Sequence, residues 1–266
     1  MDETALIRLG IFAGALLLFS ILEALFPRRD RVQGRLRRWV TNLSLVVSGS
    51  LSLMVLGPLI ALGVAAWASQ NGWGLLNLVD WPVWLEFGLA FLVLDFIIWL
   101  QHVATHKIPV LWRLHKVHHA DRDLDASSGV RFHPIEILLS MLFKCLMVLW
   151  LGPMVLAVFV FEIALNATAI FSHANLKLPL FLDRTLRKII VTPDMHRVHH
   201  SVIMRESQMN YGFNFSFWDR LFRTYQFSPS QGQTGMTLGL EDAQTNAAQR
   251  LGWSLWLPFK KQNPTK

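Results

Sequence analysis

The chain has 266 residues, of which 53% are hydrophobic and only 16% are charged, a composition too apolar for an ordinary soluble domain. Its formal net charge is +7, but no basic stripe interleaved with aromatic residues occurs, which argues against nucleic-acid binding. The single cysteine, Cys145, rules out a disulfide framework within the chain and is expected to be a buried, inert thiol. No cleavable signal peptide is expected, because its pattern does not follow Met1.

Five apolar segments predict an all-α, multi-pass integral membrane bundle, because about 20 apolar residues in a helix cross a bilayer. The segments are 9–26, 40–68, 83–101, 137–151 and 153–171. A bend is expected in the second near Gly57 and Pro58, and the last two are expected to form a helical hairpin that turns at Gly152 and Pro153. The polar remainder is expected to form a helical lobe on one face of the membrane.

The distribution of charge predicts the orientation of this bundle. Residues 28–38 contain six arginines and one aspartate, whereas the loop 69–82 has no lysine or arginine. Basic residues are in excess in cytoplasmic loops, so we expect the first loop in the cytoplasm and the second outside. Alternation of the spans then places every histidine cluster on the cytoplasmic side. A bacterial inner membrane is preferred over the endoplasmic reticulum, because the chain ends in NPTK without a retrieval signal.

All ten histidines lie between His102 and His200, and eight of them form the clusters HVATH, HKVHH and HRVHH. Spacings of three and four residues bring side chains onto one face of a helix. An isolated histidine is usually structural, but three such clusters indicate a metal centre, because imidazole is a common ligand of transition metals. Eight or nine imidazoles exceed the ligands of one metal, so two adjacent metals fit the count, with iron, zinc and copper all open. The HExxH signature of zinc metallopeptidases is absent.

These clusters, with NYGFNFSFWDRLFRTY downstream and RFHPIE at 131–136, resemble the fatty acid hydroxylase/sterol desaturase superfamily of membrane di-iron enzymes. The resemblance covers roughly residues 83–225. It divides the chain into an N-terminal transmembrane hairpin with its loops (1–82), a hydroxylase-like domain (83–225) and a polar C-terminal tail (226–266). Arg223 stands where members commonly have glycine, and no fused cytochrome b5 segment is present.

The resemblance implies an enzyme in which two iron ions and O2 hydroxylate a C–H bond of a membrane lipid, such as a fatty acyl chain or a sterol. Zinc is a possible substitute in a purified sample, and electrons would come from a separate donor of the cytochrome b5, ferredoxin or reductase type. The implied metal ligands are His102, His106, His115, His118, His119, His173, His196, His199 and His200. The alternatives are a lipid or sterol desaturase with the same centre, and a non-redox metal-binding protein or metal carrier. A carrier would place its ligands along the spanning segments, whereas these clusters are expected after the helices or in loops.

Five further side chains are candidates for a supporting role around the ligands: Asp95, His133, Glu162, Asn166 and Asp219. Asp95 lies two helical turns before His102 and either accepts the distal N–H of a ligand or joins two helices. His133 is expected to support a ligand, although direct ligation is open. Glu162 and Asn166 share a helix face with His173 and either line the substrate passage or join helices. Asp219 either orients an imidazole or pairs with an arginine.

Overall fold

A computed structural model describes residues 3–57 and 59–260, and over these residues the chain is helical and contains no β-strand. Its α-helices are α1 (Glu3–Leu25), α2 (Arg35–Leu53), α3 (Ala61–Gln70), α4 (Val83–Lys107), α5 (Pro109–His119), α6 (Pro134–Leu151), α7 (Val155–His173), α8 (Leu180–Leu186), α9 (Pro193–His199), α10 (Met204–Ser207), α11 (Phe217–Leu221), α12 (Gly232–Gly235) and α13 (Leu251–Trp256). Among the described residues, five stretches are long and apolar enough to cross a membrane: α1, the stretch 35–78, α4, α6 and α7. The predicted all-α, multi-pass class is therefore confirmed.

The second predicted span is not one continuous helix. Helix α2 ends at Leu53 and a short 3₁₀ turn follows, after which Gly57 has a positive φ of 54°. Pro58, where a bend was also expected, lies outside the described residues. Helix α2 also begins before the apolar run, because the guanidinium of Arg38 in its first turns is buried and pairs with Asp121 and Asp125, each at 2.7 Å. Ion pairing with the lobe thus extends the helix beyond its membrane segment.

Helix α4 extends further than the apolar pattern predicts. It continues to Lys107, so His102 and His106 lie in its last two turns and not after it. It ends there because Ile108 precedes a proline, and that position favours extended backbone. Pro109 then occupies the first turn of α5, where a missing N–H costs no helical hydrogen bond. A sharp corner between two helices therefore joins the first two histidine clusters.

The predicted hairpin of α6 and α7 is present. Helix α6 ends at Gly152, whose left-handed backbone (φ 65°) closes the helix. This turn packs closely on the 69–82 loop, since a Cβ on Gly152 would lie 2.3 Å from the Trp73 carbonyl oxygen. Helix α7 then runs back and ends at His173. The hairpin thereby returns the chain to the end of the bundle where the histidine clusters lie.

The lobe formed by residues 109–131 and 174–260 is fastened to the membrane helices by the arginine-rich loop. Arg28 pairs with Asp194 at 3.0 Å, and Arg29 donates to the carbonyl oxygens of Gln233 and Met236. The lobe core includes Val117 and Ala120 of the α5 region, against which Ala248 and Leu257 pack. The loop between α1 and α2 therefore lies at the same end of the bundle as the histidines.

Arg223 stands where members of the resembled superfamily commonly have glycine. Its backbone is strained, because this residue adopts a positive φ of 58°. A non-glycine residue in this region costs about 1–2 kcal/mol, partly offset by the greater chain entropy of glycine. We expect Arg223→Gly to raise the free energy of unfolding by about 0.5–1 kcal/mol, measured by thermal unfolding in detergent. The matched control is Arg205→Gly in the right-handed turn α10. This change should lower the free energy of unfolding. An equal fall in the free energy of unfolding for Arg223→Gly and Arg205→Gly would contradict the strain argument.

Candidate metal centre

Nine of the ten histidines meet in two buried groups. Within each group, one ligand atom per residue lies within 4.8 Å of all the others. The five-histidine group contains His102, His106, His115, His119 and His199, and the four-histidine group contains His118, His173, His196 and His200. These nine are the side chains predicted as ligands, so the fold brings the whole predicted set together.

Each HxxHH motif contributes to both groups. At about 100° per residue, the first and last histidines of the motif differ by about 40° around the helix, and the middle one lies about 60° to the other side. In α5, His115 and His119 accordingly enter the five-histidine group while His118 enters the four-histidine group. In the motif of α9 the assignment is reversed: the middle histidine, His199, enters the five-histidine group, and His196 and His200 enter the four-histidine group. The two groups adjoin, since the His119 and His200 rings stack with centroids 4.4 Å apart.

Hydrogen bonds fix the orientation of five of these rings through Nδ1. The acceptors are the carbonyl oxygens of Tyr211 for His102 (2.7 Å), Ala169 for His173 (2.7 Å), Met209 for His199 (2.8 Å) and Arg131 for His118 (3.2 Å), and the carboxylate of Glu136 for His115 (2.6 Å). A carbonyl oxygen can only accept, so Nδ1 carries the proton in the rings that face one. Their Nε2 atoms then keep a lone pair directed into the groups, as metal ligation requires.

The spacing of these lone pairs indicates that a cation belongs between them. The Nε2 atoms of His118 and His173 are 3.0 Å apart in one group, and those of His102 and His199 are 3.1 Å apart in the other. Neither member of these pairs has a proton to donate, so the contacts are repulsive unless a positive ion separates them. Metal–nitrogen bonds of about 2.0–2.1 Å give ligand nitrogens roughly 3 Å apart. One such pair per group fits one transition-metal ion per group.

Two buried ring nitrogens without a hydrogen-bond partner in the described part of the chain also support a metal ion in the five-histidine group. The Nε2 atoms of His106 and His119 are buried and have no hydrogen-bond partner among the described residues. A buried polar atom without a partner costs about 1–3 kcal/mol, which a metal bond would remove. The donor set of nine imidazoles therefore suits two ions that prefer nitrogen ligands.

Burial keeps the imidazoles of His118, His199 and His200 neutral. It lowers the pKa of His118 and of His200 well below the usual value, and neighbouring histidines lower both further. Burial likewise lowers the pKa of His199 to about 3. Because only the neutral ring offers a lone pair, these side chains are ready to ligate throughout the neutral pH range.

Asp219 has no hydrogen bond to a histidine ring among the described residues, and it acts on the site through the backbone of residues 211 and 212. Its carboxylate accepts from the N–H groups of Tyr211 (2.9 Å) and Gly212 (2.8 Å) and from the indole of Trp99 (3.0 Å). Burial raises its pKa, which these bonds partly counteract. Because the Tyr211 carbonyl accepts the Nδ1 proton of His102, Asp219 fixes the loop that orients this ring.

Asp95 and His133 also lie outside both groups. Asp95 accepts from the indole of Trp218 at 2.9 Å, which joins α4 to α11. His133 precedes the first turn of α6 and accepts from the Ile135 N–H, while its Nε2 donates to the Leu255 carbonyl oxygen at 3.2 Å. The structure thus gives each of them partners that are not the nine histidines.

Glu162 and Asn166 face a cavity of about 490 Å³ that reaches the histidines at its other end. Asn166 donates to the Glu162 carbonyl oxygen in the preceding turn. The carboxylate of Glu162 lies 2.8 Å from the ammonium of Lys144 and 2.9 Å from the guanidinium of Arg8. Both residues therefore line the cavity, and Glu162 joins α7 to α6 and α1, whereas the amide of Asn166 bonds within its own helix.

Sequence reasoning missed two residues that hold the centre. Glu136 bonds His115, and in the sequence it resembles an ordinary acidic residue in the first turn of a helix. Arg131 is fully buried and donates to the Val117 carbonyl oxygen at 2.8 Å, while its own carbonyl accepts from His118. Both stand in the RFHPIE segment, so a charged residue on each side of the His-Pro pair was the available signal.

Replacing Glu136 with glutamine is expected to weaken metal binding. The neutral amide cannot supply the charged acceptor that orients the His115 ring, and loss of such a supporting partner costs about 10–100-fold in metal affinity. Chelator competition on purified protein measures the change. The matched control is Glu241→Gln on the exposed surface of the lobe, which should bind metal as the unaltered chain does. Equal affinity for both variants would rule out a role for Glu136.

The fold and the site define a multi-pass membrane protein with two adjoining histidine groups suited to transition metals. The chain belongs to the fatty acid hydroxylase family, whose model matches residues 87–224, just over half of its length. The predicted superfamily is thereby confirmed.

Curated relatives share the same region. Ornithine lipid hydroxylase OlsE of Rhizobium tropici is 31% identical over 159 residues, which cover 58% of this chain and 46% of that protein. Alkylglycerol monooxygenase of Homo sapiens is 27% identical over 153 residues, which cover 56% and 32%. Fatty acid hydroxylase vlmA of Lecanicillium sp. is 29% identical over 211 residues, which cover 74% and 55%. The chain thus spans about a third to a half of these lipid hydroxylases and monooxygenases. No solved structure matches it significantly.

Proposed function

We propose that this protein is an O2-dependent di-iron enzyme that hydroxylates a C–H bond of a membrane lipid. The observation that carries the proposal is the pair of adjoining histidine groups, each with facing Nε2 lone pairs, at the end of an apolar cavity. The names of the relatives, an ornithine lipid hydroxylase and an alkylglycerol monooxygenase, support a lipid substrate.

The residues of this chain would divide the work between holding metal and placing substrate. The nine histidines would hold two iron ions, which when bound supply O2 activation and hydrogen abstraction from an aliphatic C–H bond. The Nδ1 acceptors keep the rings oriented, and burial of both groups excludes water that would intercept a reactive oxidant. Leu45, Ile98 and Leu165 form part of the apolar cavity wall along which an alkyl chain fits.

The location of the site supports a supply of electrons from the cytoplasm. The arginine-rich loop contacts the lobe through Arg28 and Arg29, so loop and histidines occupy one side of the membrane. The positive-inside bias supports a cytoplasmic location for that side. A separate donor of the cytochrome b5, ferredoxin or reductase type would then reach the lobe while lipid enters from the bilayer. We place the protein in a bacterial inner membrane.

Metal exchange tests the proposal directly. The protein is purified in detergent, stripped with a chelator and reloaded with either iron or zinc, and its metal content, lipid-dependent O2 uptake and products are then measured with a reductase and NAD(P)H. We expect two metals per chain in both forms, but O2 uptake and a lipid that has gained one oxygen only with iron. A lipid that gains a double bond would assign a desaturase. Stoichiometric iron without O2 uptake or lipid change would refute the enzyme and favour a metal-binding protein or carrier.

A further inference from the structure

The cavity has a charged end as well as a histidine end. Helices α1, α2, α4, α6 and α7 line it, and His102 and His115 stand at one end. At the other end are Arg8 of α1, Lys144 of α6 and Glu162 of α7. On α6, Lys144 lies eight residues beyond Glu136, the partner of His115, a separation of about 12 Å along the helix. The charged end is therefore well inside the apolar part of the bundle.

The charges at this end do not balance. One carboxylate, Glu162, faces two cations, with 2.8 Å to the Lys144 ammonium and 2.9 Å to the Arg8 guanidinium. The side chains of Glu162 and Lys144 are 3% and 11% exposed, whereas that of Arg8 is 30% exposed, so water screens the excess charge only in part. Of the other described residues that line the cavity, Glu136 is the charged one, and it already bonds His115. One positive charge at the cavity wall is thus left without a carboxylate of its own, and an anion that binds there would compensate it.

We propose that Arg8 and Lys144 form a binding subsite for the anionic oxygens of an amphiphile, a carboxylate or a phosphate, whose alkyl chain runs along the cavity to the histidines. The proposal rests on the proposed function, because it names the substrate class of that same site. An ammonium has three N–H donors, and Glu162 takes one of those of Lys144, so donors remain for a ligand. The separation of about 12 Å places the oxidised carbon well along the alkyl chain, not beside the head group.

A purely structural role for the triad would require only one cation beside Glu162. A single cation facing Glu162 already makes a neutral ion pair within the bundle, and a neutral pair is cheaper to bury than a charged triad. The second cation joins a further helix to α7, but it also leaves the triad with a net positive charge that an anion can compensate. Asn166 and Ser140 also line the cavity and add polar surface within an otherwise apolar wall. The charge excess, and not the ion pair itself, is therefore the feature that points to a ligand.

Binding of three probes by metal-loaded protein, without reductant, tests the subsite. The probes are hexadecanoate, hexadecyl phosphate and uncharged methyl hexadecanoate, presented in phosphatidylcholine nanodiscs. We expect at least one anionic probe to bind about tenfold or more tightly than the ester, the range of a charge-assisted hydrogen bond. The better of the two anionic probes identifies a carboxylate or a phosphate head group. Equal affinity of the unaltered chain for all three probes would overturn the proposal.

Two opposite charge changes separate binding from helix packing. Lys144→Gln leaves a neutral Arg8–Glu162 pair and should abolish the preference for anions, whereas Glu162→Gln leaves two cations and should increase it. Loss of the preference in both variants would mean that the triad only joins helices. Thermal unfolding identifies a variant that fails to fold, and Lys144→Arg, which keeps the charge, should keep the preference. Because no turnover is measured, anion preference without O2 uptake would refute the proposed function alone.

Discussion

Replacing His173 with alanine is expected to remove the metal of the four-histidine group and to abolish lipid oxidation while the chain still folds. The Nε2 atom of His173 lies 3.0–3.2 Å from the Nε2 atoms of all three other members of its group. Loss of a metal removes several kcal/mol of transition-state stabilisation, so we expect lipid hydroxylation to fall at least about a thousandfold.

Iron content and turnover measure this effect together. The unaltered chain is expected to hold two irons and the His173→Ala variant one, because the five-histidine group keeps all its members. The matched control is His133→Ala, which removes an imidazole that lies outside both groups and whose hydrogen bonds among the described residues are to Ile135 and Leu255. It should retain both irons. Two irons and full activity in His173→Ala would exclude the four-histidine group as a metal site.

The membrane fold was predictable because the bilayer imposes one length and one polarity on every span. The positions of four of the five spanning helices follow from apolar runs, and the proline after Ile108 explains why α4 ends where it does. The boundaries of α2 were not predictable. Its start depends on Asp121 and Asp125, which lie more than 80 residues away in the sequence and compensate the charge of Arg38.

Much of the candidate centre was also predictable, because the histidine spacing fixes helix faces before any tertiary contact forms. The spacing did not assign histidines to groups, since that depends on how α5 and α9 face each other. It also did not reveal Glu136 or Arg131. Their roles arise from packing between separate segments, and a charged residue near a helix start usually has only a local role.

Replacing Asp219 with alanine is expected to be among the most destabilising single changes in the lobe. It leaves the N–H groups of Tyr211 and Gly212 and the indole N–H of Trp99 buried without an acceptor. An unpaired buried donor costs about 1–3 kcal/mol, so we expect a loss of about 3–5 kcal/mol in the free energy of unfolding. The loop that orients His102 loosens with it, which should lower metal occupancy of the five-histidine group.

Asp219→Asn separates these effects, because it keeps one acceptor oxygen and the size of the side chain. Its loss of stability should be smaller, and it should still fold, so its metal content can be compared with that of the unaltered chain. Asp242→Ala, at an exposed position of the lobe, is the matched control and should change neither quantity. If Asp219→Asn is destabilised but binds metal with unchanged affinity, Asp219 supports the fold of the lobe and not the position of His102. A parallel loss of stability and of metal affinity is expected if the carboxylate holds the His102 ring through the Tyr211 carbonyl.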